Sequence, residues 1–119
     1  MAIPSGSGTE VIKTTQLTAV TNSVRTLITG VANHIYTVLS IIVTETSEAT
    51  GEKIDIYLAD SDGSSNPVMI VYSQSIEPFQ VFVWNDKFSY TGGTQKLQII
   101  AKSAANFDVI CTYIDQDWS

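Results

Sequence analysis

His34 is the only histidine in the chain. An imidazole does nucleophilic chemistry when a hydroxyl or thiol and an orienting acid converge on it. Nothing near His34 in the sequence supplies either partner, so it reads as a polar residue at a strand end. Asp60, Asp62 and Asn66 bring oxygens that suit a hard cation such as Ca²⁺. The longer acidic ladder and distal Glu of a calcium-binding loop are absent, and the segment reads as a solvated turn. Paired carboxylates for glycoside hydrolysis would have to converge in space, and the acids of this chain sit mostly in turns. The sequence carries no phosphate-cradling glycine loop and no zinc-spaced Cys/His set. It therefore points to no enzyme, no catalytic residue, no metal and no cofactor.

Two further residue sets bear on binding. Tyr57, Tyr72, Trp84, Tyr90 and Trp118 are flat enough to stack on sugar rings. Most fall inside strand-like segments, where core or interface packing is the default. Trp118, next to last in Asp115-Gln116-Asp117-Trp118-Ser119, is expected to pack on the domain or on a neighbour. Cys111 is the only cysteine, so no disulfide forms within the chain. It lies in an apolar stretch and reads as a small buried hydrophobe.

The segments that must position these residues are strands. The longest apolar run, His34 to Thr44, is rich in Val, Ile, Thr and Tyr, types that fit a pleated surface. Its alternate set Ile35, Thr37, Leu39, Ile41 and Val43 is expected to face the core. The run is well short of the ~20 apolar residues that span a membrane. Lys53 to Ala59 alternates cleanly, with Ile54, Ile56 and Leu58 inward and Asp55 and Tyr57 outward. Further strands are expected at 11–18, 24–29, 68–73, 79–84, 87–91, 94–101 and 107–114. Asn85-Asp86 and Gly92-Gly93 have the chemistry of two-residue hairpin turns. Thr46 to Glu52, with three acids counted from Glu45 onward, reads as a solvated loop. No segment holds a 3.6-residue period. The expected fold is an all-β, jelly-roll-like antiparallel sandwich of about eight strands, spanning residues 11–119.

Residues 1–10, with two Gly, two Ser and one Pro, read as a flexible arm with Ile3 as apolar anchor. No charged and apolar leader opens the chain, so a cytoplasmic place of synthesis is expected. The 119 residues suit one domain. Six Lys and Arg against twelve Asp and Glu give a net charge of -6. The six cations are scattered, which argues against nucleic acid as a partner. Only 15% of the residues are charged, a composition that suits surfaces packed against other proteins.

Three stretches carry a family resemblance. Ala2 to Val11, Phe82 to Phe88, and Ser103 to Val109 continuing through Tyr113 to Trp118 resemble small virion structural proteins of tailed bacteriophages, mostly marine ones. The likeness runs from Ile35 onward; residues 12–33 match least. It implies a component of the virion, assembled in the host cytoplasm, with no catalytic residue to carry over. Together with an acidic all-β domain and an arm, it implies a capsid decoration or cement protein. The expected partners are the major capsid protein or other virion proteins and further copies of the chain, with a trimer favoured. Ile3, Pro4 and Trp118 are the expected contact residues. A tail, neck or fibre component and a carbohydrate-binding module for host attachment are the alternatives.

Overall fold

The computed structural model describes residues 9–47, 52–60, 67–102 and 106–119. Ile3, Pro4, Asp62 and Asn66 lie outside them. Among the described residues the β-branched and aromatic segments form nine strands and no helix. They are β1 (Thr9–Val20), β2 (Arg25–Ile28), β3 (His34–Glu45), β4 (Glu52–Asp60), β5 (Val68–Ile76), β6 (Val81–Trp84), β7 (Phe88–Thr91), β8 (Gln95–Ala101) and β9 (Phe107–Asp117). Thr9 and Glu10, given above to the arm, are the first residues of β1.

One sheet runs β1-β9-β3-β6, with β7 also on β3, and the other runs β2-β8-β4-β5. β6 and β7 are collinear: β6 pairs with Ile41 to Thr44 and β7 with Ile35 to Val38 of the same strand. Counted as one interrupted strand, they leave eight. The first then pairs with the last, the second with the seventh, the third with the sixth and the fourth with the fifth, all antiparallel. Rolling up one long antiparallel ribbon produces this nesting, and the result is a jelly roll.

This pairing overturns both expected hairpins. Asn85-Asp86 does not return the chain onto β6. It carries the edge strand past an interruption and back onto β3. Gly92-Gly93 takes the chain from one sheet to the other. Turn chemistry tells where a chain bends; which neighbour a strand then finds is decided by burial of its face.

β3 corrects a second expectation. The inward residues are Tyr36 and Val38, then Ile41, Val43 and Glu45. Val38 pairs with Tyr113 and Ser40 with Thr112, so Leu39 is an extra residue opposite β9. Such a β-bulge exchanges the two faces of a strand. Ile35, Thr37 and Leu39 are consequently only half-buried. Glu45 is not in a solvated loop but fully buried at the end of β3. Its Oε1 accepts hydrogen bonds from the Ser47 amide at 2.8 Å and hydroxyl at 2.6 Å. β4 follows expectation, with Ile54, Ile56 and Leu58 buried. The core fills the space between the sheets, with Tyr36, Phe107, Ile41, Ile54, Leu97 and Ile99 among its largest fully buried side chains.

Candidate functional site

Two places gather functional side chains. The first is at the end of the sandwich where β3 starts and β9 finishes. Asp115 is buried, and its Oδ1 lies 2.6 Å from His34 Nδ1. Lys13 Nζ donates to its other oxygen at 2.8 Å. His34 Nε2 lies 3.4 Å from Asp117 Oδ1, and the His34 ring stacks on Tyr36. The hydrogen bond and charge of Asp115 hold the Lys13 ammonium above its ordinary value. Hydrogen bonds from the Ser119 hydroxyl and amide hold Asp117 below the usual carboxylate range.

An imidazole oriented by a buried acid is two parts of a hydrolytic triad. Among the described residues no hydroxyl or thiol hydrogen-bonds to His34, and its second nitrogen faces Asp117. The arrangement is a clasp that pins β1, β3 and β9 together. Both Asp115 oxygens have partners, as a buried carboxylate requires. Sequence reasoning missed the clasp because His34 and Asp115 are 81 residues apart. Only the β3–β9 pairing joins them.

The second place is the margin where the free edges of the two sheets meet, β5 from one and β6 from the other. A groove of about 320 Å³ opens there. Ile70, Tyr72, Phe82, Val83 and Trp84 line its walls, and Gln74, Asn85 and Asp86 supply polar groups. Each wall is positioned by a local device. In β5 the register against β4 shifts between Gln74 and Val71, and Ser73 takes a φ of 53°. The Ser73 amide donates to Asp55 Oδ1 at 2.7 Å, which secures that conformation. Tyr72 is thereby turned outward, 68% exposed, with the Lys102 ammonium 4.2 Å above its ring. Lys102 also lies 3.6 Å from Asp55 Oδ2. In β6 the Trp84 ring meets Phe88 edge-on. Trp84 Nε1 is buried without an acceptor, an unmade bond that costs about 1–3 kcal/mol.

The groove continues into an exposed apolar strip. Val68, Met69, Tyr72, Phe79, Val81 and Val83 are all exposed along this margin. The opposite margin is knit together, with the Thr15 hydroxyl donating to Leu27 O at 2.8 Å and Arg25 to Thr18 O at 3.2 Å.

The remaining candidates scatter. Tyr90 is buried, and Tyr57 is half-buried on β4. Asp60 closes β4. Trp118 is half-buried; its backbone amide donates to Asn33 O at 2.9 Å, while its indole nitrogen is buried without an acceptor. Cys111 is buried, as the lone cysteine in an apolar stretch suggested. Tyr72 and Trp84 are the only two of the five aromatics that come together at the groove.

No protein family and no curated protein matches the sequence. Solved structures do match in fold. A chain from the disulfide-linked pili known as Bacillus endospore appendages aligns at a TM-score of 0.55 and 14% identity, covering 100% of this chain and 97% of that one. A chain of the T13 viral particle of infectious bursal disease virus (IBDV) aligns at 0.58 and 10% identity, covering 92% of this chain and 31% of its own. This chain thus spans about a third of that viral protein. A cyanophage Pam1 capsid chain aligns at 0.46 and 14% identity over 98% and 92%, too distant to support an argument. The first two likenesses show that the β-sandwich described above is a shared fold.

Proposed function

We propose that this protein is a non-enzymatic structural component of a phage virion, a capsid decoration or cement protein. The observation that carries the reading is the open β5–β6 margin, where large apolar side chains stand exposed around a groove. Six of the eleven large apolar side chains exposed among the described residues lie along it, and exposed apolar surface gathered in a strip marks a docking surface. The fold supports the reading, since the neighbours that share it are building blocks of pili and of a viral particle. So does the acidic surface, which avoids the packaged genome. Ile3, Pro4 and Trp118 are contact residues toward neighbours in the particle, and residues 1–10 act as an arm. Many modest contacts repeated over a shell add up through multivalency.

Deleting residues 1–9 tests the arm: binding to assembled particles should weaken at least tenfold, and unchanged binding would overturn the assignment. Copy number separates the two virion locations. Hundreds per particle fit decoration, and six to a few dozen fit a tail or neck part. A second reading has its own observation, for Tyr72, Trp84, Asn85 and Gln74 share the groove. Aromatic faces beside amide groups suit a sugar ring. Titrating the Trp118→Phe variant with host polysaccharide while following Trp84 fluorescence decides that reading, and a flat signal retires it.

A further inference from the structure

We infer that the β5–β6 groove receives the N-terminal arm of a second copy of this chain, with the Ile3 side chain seated between Tyr72 and Trp84. The inference rests on the structural role proposed above and names the neighbour that the arm touches.

Reach works against the chain's own groove. Thr9, Asp117 and His34 stand in one row across the sheet, because Thr9 pairs with Asp117 and Asp117 with His34. The groove lies on the far edge, where Trp84 pairs with Ile41. Crossing β1, β9, β3 and β6 takes three strand spacings, about 14 Å. Moving along β3 from His34 to Ile41 adds about 20 Å once the extra residue Leu39 is allowed for. The straight diagonal is about 25 Å. Ile3 stands six residues before Thr9, and a fully extended chain covers at most about 21 Å over that span. A second copy has no such restriction.

The chemistry of the groove fits the same occupant. Its walls carry apolar side chains and its polar groups are the amides of Gln74 and Asn85 and the carboxylate of Asp86, which suits an aliphatic side chain flanked by peptide bonds. Residues before proline favour extended backbone, so the Ile3-Pro4 pair suits a strand-like slot. Among the described residues β5 pairs only with β4, and β6 only with β3, so each offers an edge of backbone groups on the groove side. Adding an extended peptide to such an edge is a common mode of recognition. Arm and groove are different surfaces of one chain, so the contact is head-to-tail. Such contacts close into rings when the rotation allows it.

The test uses two single variants of the full chain, Ile3→Asp and Val83→Asp. Val83 is 51% exposed, so the substitution spares the core. Circular dichroism confirms that each variant is folded. Sedimentation velocity should show an oligomer for the unmodified chain and monomers for each variant alone. An equimolar mixture should form heterodimers, because Ile3→Asp keeps its groove and Val83→Asp keeps its arm. A monomeric unmodified chain, variants that assemble normally, or a mixture that stays monomeric would each overturn the inference. Groove-dependent assembly by a protein absent from purified virions would support the inference and overturn only the virion role.

Discussion

At the scale of single residues, the buried ionisable groups set how the protein answers to pH. Cys111 has no exposed surface, and burial pushes its thiol from 9.0 up to about 12. Burial raises the Tyr90 and Tyr36 hydroxyls as well. In the unfolded chain these acids ionise at their ordinary values, so above those values the unfolded state gains stability that the folded state cannot match. Their contribution is whole below about pH 8.5 and is lost as pH rises. At pH 10, Cys111 alone should cost on the order of 1–2 kcal/mol. Urea midpoints should therefore fall between pH 8 and pH 10. Cys111→Ala should start lower, having lost buried volume, yet fall less over that interval. An equal fall in both proteins would show that the thiol has no part in it.

At the scale of elements, the turns that join the sheets matter as much as the strands. The Gly92 amide donates to His34 O at 2.9 Å. A Cβ at Gly92 would collide with the Tyr36 ring and the Val31 backbone, whereas one at Gly93 would meet only Ala32 at an ordinary 3.7 Å. Gly92→Ala should therefore cost roughly 2–4 kcal/mol, the size expected of overpacking or backbone displacement in a packed site. Thermal unfolding would register this as a fall of roughly 10–20 °C. Gly93→Ala should shift the midpoint by less than a quarter of that, and equal shifts would refute the steric account. The same elements show what was legible beforehand. Strand identity was, because β-branched alternation in Lys53 to Ala59 has one physical meaning. The inward face of β3 was not, since one extra residue at Leu39 reverses it and leaves no mark in composition. The groove was half legible: Tyr72 and Trp84 stood out as aromatics, but only the rolled topology brings β5 beside β6. The His34–Asp115 clasp was illegible for the same reason.

At the scale of the whole molecule, shape and charge decide how copies meet. The radius of gyration is 14.9 Å and the extents are 50 × 28 × 20 Å. A compact chain of this length would have a radius of about 13.5 Å, so the sandwich is elongated and its open margin is long for its volume. Each copy carries a net charge of -6, and copies in contact bring those charges within a few tens of ångströms. At about 10 mM salt the screening length is about 30 Å and the copies repel across their whole thickness. At about 150 mM it is about 8 Å, and the repulsion is largely gone. Apolar burial in the groove changes little over that range. Self-association through arm and groove should therefore strengthen as salt rises, by several-fold in the sedimentation equilibrium constant. Attachment to a basic partner surface would do the opposite, because opposite charges lose their attraction under the same screening. Assembly that weakens from 10 to 150 mM would mean that charge attraction, and not the apolar groove, holds the copies together.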